Sequence, residues 1–119
     1  ELGKSEVLKE VVSYAEPTAA HLYDAARKGD PACEAEIRNG GHILGLALGS
    51  LANVLNPDAI TLSGGLLAMG EMLLEPMRAA MRSMVYGAAG AANVRLSELG
   101  ENAGLLGAAA VALEYLEGS

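Results

Sequence analysis

The sequence predicts an α/β fold that is mostly helical, with about two parallel strands among packed helices, and three observations predict it. Two short apolar segments, Ala59 to Ser63 and Asn93 to Leu96, read as strands with a helical pattern between them. Strand, helix, strand is the signature of a parallel pair joined by a crossover. The punctuation of RKGDPAC marks two helices meeting: Gly29 suits a C-cap, Asp30 an N-cap and Pro31 the first helical position. Lastly, Gly41, Gly45 and Gly49 recur at intervals of four beside Leu44, Leu48, Leu51 and Leu55, placing glycines on one helical stripe where another backbone can approach.

A chain of 119 residues is enough for one core and too short for two. It begins at Glu1, so the expectation is a piece of a longer chain or a processed one, and residues 1–119 are read as a single domain or fragment. Two short strands make a poor sheet, since parallel pairs normally lie in wider sheets covered on both faces. Further strands are therefore expected upstream.

In chain order, Ser5 can cap a first helix whose apolar face is Val7, Leu8, Val11, Val12 and Ala15. Pro17 fits the first turn of a second helix ending near Lys28. From Pro31 to Asn56 one helix is expected, bent near Gly40 and ending before Pro57, which pushes its predecessor out of the helical region. After the strand at Ala59, the apolar positions Leu66 to Met84 follow a helical pattern, with Pro76 expected to start a new helix after a kink. Tyr86 to Ala92 reads as a loop, and Glu101 to Leu116 as a final helix.

Composition excludes several functions. The formal charge is −7 and the eight basic residues are scattered, with none between Arg38 and Arg78, so the segment has no nucleic-acid footprint. The longest apolar runs, Ile43 to Leu55 and Ala103 to Leu113, fall short of the roughly 20 residues a membrane span needs, and no membrane partner is expected. A lone Cys33 cannot form an internal disulfide, which suits a reducing, cytoplasmic setting.

The chemistry carried by motifs is thin. TLSGG has a serine on a strand-to-helix turn, but Thr61 stands where a nucleophile elbow needs glycine and no histidine follows Ser63. One cysteine and two histidines, His21 and His42, give no zinc spacing, so no metal site is assigned and the histidines read as surface or helix-packing residues. Glu71, Glu75, Glu98 and Glu101 read as solvated positions, leaving no catalytic acid or base. No phosphate-binding P-loop is present. What remains is Gly64 and Gly65 at the carboxyl end of a parallel strand, where ligands tend to bind in open α/β sheets.

Taken together, LGLALGSLANVLNPDAITLSGGLLAMGEMLLEPMRAAM and the later LSELGENAGLLGAAAVAL resemble the C-terminal part of the ROK family, bacterial sugar kinases and sugar-responsive transcriptional regulators. The resemblance runs from about Ala25 to Leu113. It implies part of an actin-like ATPase lobe, ribonuclease-H-like, with ATP and Mg as the parent protein's cofactors and a sugar as its second ligand. It also implies that Ser63, Gly64 and Gly65 lie against the adenosine part of the nucleotide, with Ser63 standing where many kinases of the family have a third glycine. The helix from Ala103 resembles the segment connecting the lobes, with Gly104, Gly107 and Ala108 allowing close packing near a hinge. The family's phosphate loop, catalytic aspartate, sugar contacts and zinc motif have no counterpart here. Three readings stay open: the adenosine-side segment of a glucokinase-like hexose kinase, inactive alone; the corresponding segment of a sugar-sensing regulator; or an interaction module. A homo-oligomer is expected in each, because an uncovered sheet edge and apolar face invite a partner.

Overall fold

The computed structural model describes residues 6–12, 18–85 and 93–118. The elements run α1 (Glu6–Val12), α2 (Ala19–Arg27), α3 (Pro31–Leu55), β1 (Ala59–Leu62), a 3₁₀ helix (Gly65–Met69), α4 (Glu71–Met84), β2 (Asn93–Leu96), a short 3₁₀ turn (Gly100–Asn102) and α5 (Ala103–Glu117). The expected Ser5 cap, Ala15, Pro17 and the loop from Tyr86 to Ala92 lie outside the described residues.

The RKGDPAC boundary folds as its residues dictate. Gly29 takes a φ of 97°, in the region glycine enters at least cost, and Asp30 caps α3 with Pro31 next. The Asp30 carboxylate accepts from the backbone N–H groups of Ala32 and Cys33, both at 3.0 Å, while the residue itself is buried. Two orphan donors of the helix are thereby satisfied away from water. Asp30→Ala should accordingly lower stability by about 1–2 kcal/mol, checked by urea denaturation. A shift within error would mean that the Gly29 and Pro31 geometry alone sets the start of α3.

Helix α2 starts later than expected, at Ala19, because Thr18 is its N-cap. The Thr18 side chain accepts from the His21 N–H at 3.3 Å, and His21 Nδ1 accepts in return from the Thr18 N–H at 3.1 Å. This reciprocal box gives His21 a local structural role, while His42 is exposed on α3.

Helix α3 is one 25-residue helix that runs through Gly40 and Gly41 and stops at Asn56 in the left-handed region. Its glycine stripe lies against α4. A Cβ built on Gly41 would collide with the Leu73 carbonyl oxygen, and one on Gly45 with that of Met77 and, at 2.8 Å, with the Ala80 Cβ. A Cβ on Gly49 would sit 2.7 Å from the Met84 Cβ. Gly40, one position off the stripe, faces open space.

Around this contact sit two buried clusters. Ala25, Ala26, Cys33, Ile37, Met69 and Leu73 join α2, α3, the 3₁₀ helix and the start of α4, and Val7 of α1 packs against them. Leu48, Ala52, Leu74, Met77 and Met81 fill the α3–α4 interface, with Ile60, Leu62 and Val94 of the strands packed on them.

The break between β1 and α4 falls at Gly70, not at Pro76, which lies inside α4. Gly70 has φ 58° and ψ −140°, a backbone that no side-chain-bearing residue adopts cheaply, and its carbonyl accepts from Leu73 and Leu74 N–H to start α4. Pro76 removes one donor from the ladder without ending the helix. Its ring lies beside Gly41, where packing against α3 holds the helix through the proline.

β1 and β2 pair in parallel, Ala59 opposite Asn93 and Leu62 opposite Leu96, as expected from the strand–helix–strand order. Ile60 and Leu62 are half-buried toward the helices while Ala59 and Thr61 are exposed, so helices cover one sheet face. The radius of gyration, 17.7 Å, exceeds the about 13.5 Å typical of a compact domain this long. Helix α5 has no buried residue, and at Gly104 and Gly107 a Cβ would meet nothing within 4 Å. Among the described residues the small residues of α5 therefore make no close packing.

Candidate functional site

Strand β1 ends at Leu62, whose carbonyl accepts from Ser97 N–H at 2.7 Å, and the chain then turns through Ser63, Gly64 and Gly65. The turn thus sits at the carboxyl end of a parallel strand, next to the equivalent end of β2. Gly64 has φ 117° and ψ 164°, a combination essentially restricted to glycine, and its carbonyl accepts from Leu67 N–H at 3.2 Å to open the 3₁₀ helix. Gly65 differs. It has no positive φ, and among the described residues a Cβ there would meet nothing within 4 Å, so neither backbone conformation nor their packing calls for a glycine.

Gly65 instead lines a cavity of about 520 Å³ between the start of α2 and the 3₁₀ helix. Thr18, Ala19, Ala20, Tyr23 and Asp24 form one wall, and Gly65, Leu66, Ala68 and Met69 the other. A concave, mainly apolar space of this size with few polar groups is the usual form of a small-ligand site. The Tyr23 ring carries the Arg27 guanidinium at 5.8 Å from its centroid. Among the described residues the Asp24 carboxylate makes no hydrogen bond, and it is the one charged group on the cavity wall. A second cavity, lined by Glu10, Asp24, Arg27 and Lys28, shares Asp24 and is polar.

Of the three residues expected to meet a ligand, the structure places Gly65 on the cavity wall, and Ser63 and Gly64 just before it in the turn. Thr18, Tyr23 and Asp24 went unnoticed in the sequence. Only the packing of α2 against the 3₁₀ helix brings them to the turn, and that packing leaves no local motif. Of the carboxylates singled out from the sequence, Glu71, Glu75 and Glu98 do not converge, and the Glu101 side chain lies outside the described residues. Glu71 pairs with Arg78 at 3.0 Å, Glu75 with Arg38 at 2.6 Å, and Glu98 is exposed. Exposed pairs of this kind contribute about 0–1 kcal/mol each. Among the described residues no three His, Cys, Asp or Glu side chains are placed to hold a metal ion, and no helix is long and apolar enough to cross a membrane.

Comparison with known proteins bears on what this turn and cavity are for. The model of the ROK family matches residues 7–115, extending beyond the segment from Ala25 to Leu113 on which the resemblance rests. A glucokinase of Streptomyces coelicolor is 34% identical over 96 residues, covering 79% of this chain and 30% of its own length. A xylose repressor of Bacillus spizizenii is 32% identical over 95 residues, covering 79% of this chain and 25% of its own. Among solved structures, a ROK family glucokinase from Streptomyces griseus in complex with glucose and AMPPNP superposes with a TM-score of 0.67 at 35% identity, covering 77% of this chain and 30% of that one. The chain thus spans less than a third of the length of these relatives. The fold is accordingly that of part of an actin-like sugar kinase, mostly helical with two parallel strands.

Proposed function

The chain belongs to the ROK family, and from that premise we propose that it is the C-terminal, adenosine-side segment of an ATP-dependent hexose kinase resembling glucokinase. The observation that carries this reading is Gly65: a glycine that packing among the described residues does not require, beside an open cavity at the carboxyl end of a parallel strand. Without Cβ atoms, Gly64 and Gly65 let a base or ribose come close to the main chain, and Ser63 adds a hydroxyl at the same turn. ATP, with Mg, is the cofactor and a hexose the substrate of the parent protein under this reading.

Residues 1–119 alone are expected to be catalytically inactive. Phosphoryl transfer depends on positioning the nucleotide and stabilising charge around the transferred group, and this segment offers no general base and no phosphate loop for either task. The test has two arms. The isolated chain should not phosphorylate glucose, N-acetylglucosamine or mannose, whereas the intact protein should phosphorylate one of them with ATP. Turnover by the isolated chain overturns the fragment reading, and an intact protein with no activity on any hexose overturns the kinase reading.

The likeness to the xylose repressor, together with Ser63 in place of a third glycine, favours one alternative: a sugar-sensing regulator on the same scaffold. Sugar-dependent DNA binding by the intact protein, without kinase activity, would establish it. In either case we propose self-association, because α5 exposes Leu105, Val111, Tyr115 and Leu116 and the two-stranded sheet leaves its edges open. A monomeric sedimentation profile at micromolar concentration would refute this.

A further inference from the structure

Resting on the nucleotide reading above, we propose that Asp24 is a specificity residue of the site, its carboxylate accepting a hydrogen bond from a donor on the adenosine. The cavity beside Gly65 is walled by Tyr23, Leu66 and Met69, and Asp24, itself exposed, lines it on the α2 side. An apolar wall with one anionic acceptor suits a flat, neutral, amine- or hydroxyl-bearing ring, and it disfavours a phosphate, which a carboxylate repels. The nucleoside end of the nucleotide is therefore the part that fits here. Asp24 is also available for the task. It lies in the last turns of α2, its own side chain is engaged by no described residue, and the neighbouring cation Arg27 is directed over the Tyr23 ring. Ionised, it can only accept, so it favours ligands that present N–H or O–H groups.

Adenosine has two kinds of such donor, the exocyclic amine of the base and the ribose hydroxyls, and the test separates them. Nucleotide binding to the intact protein is measured by calorimetry with ATP, with inosine triphosphate, which carries a carbonyl in place of the amine, and with 2′-deoxy and 3′-deoxy ATP. The wild-type protein and Asp24→Asn are compared. Asp24→Asn is expected to weaken ATP roughly tenfold, the effect of a charge-assisted hydrogen bond at a partly exposed site. The same substitution should leave unchanged the binding of whichever analogue lacks the partner group. Loss confined to amine-bearing ligands assigns the base, and loss confined to hydroxyl-bearing ligands assigns the ribose; either supports the proposal. Equal loss across all four ligands, no loss, or tighter binding on removing the negative charge overturns it. If the wild-type protein binds none of the four, the nucleotide reading itself fails, and this inference with it.

Discussion

Replacing Gly45 with leucine should lower the stability of the fold by about 3 kcal/mol, the upper end of the usual cost of overpacking. In most overpacked cores a neighbouring side chain swings away, but at Gly45 the first obstacle is the Met77 backbone carbonyl, with the Ala80 Cβ behind it. Neither can move unless α4 moves as a body, and α4 carries the buried side chains Leu74, Met77 and Met81. Leucine's better helix propensity, worth about 1 kcal/mol over glycine, works in the opposite direction and is outweighed. Gly40→Ala supplies the control. Gly40 lies in the same helix with nothing within 4 Å of its Cβ position, so alanine there should raise stability by up to about 1 kcal/mol. Both are read from urea denaturation midpoints. An unchanged midpoint for Gly45→Leu would mean that the stripe does not contact α4 in solution.

Met77→Ala should cost about 3 kcal/mol, within the 2–5 kcal/mol range of large-to-small core substitutions. Met77 is 0% exposed and lies between Leu48 and Ala52 of α3 and the neighbouring Leu74 and Met81 of α4. Part of the cavity left behind can be filled by Met81, a flexible thioether, so the loss should not reach the top of the range. A loss under about 1 kcal/mol would show that the interface collapses around the deletion. Because the Met77 carbonyl is also what Gly45 meets, the double variant should depart from the sum of the two singles.

Much of this fold is legible in local chemistry. Gly29, Asp30 and Pro31 each have a conformational or capping preference that no tertiary contact overrides, and the glycine period of four signals a close helix contact before its partner is known. The strands were legible because short apolar segments flank a helical run. Other features were not. Proline rules point to a break at Pro76, yet the chain turns at Gly70, because packing against Gly41 outweighs the loss of one ladder hydrogen bond. At the site, the glycine turn was visible as a motif, whereas Thr18, Tyr23 and Asp24 lie some forty residues earlier and meet it only through the docking of α2. Sequence spacing carries no record of such an encounter.

The bare surface of α5 has a dynamic consequence. An isolated helix of about 15 residues is marginal in water even with an alanine-rich sequence, and α5 has that length and no buried residue among those described. Its amides should therefore exchange with deuterated solvent through local fraying, orders of magnitude sooner than those of α3, whose opening requires the α4 contact to separate. Whatever covers α5, a second copy or the remainder of a longer protein, will slow that exchange. The protection of these amides then reports directly whether the helix has found its cover.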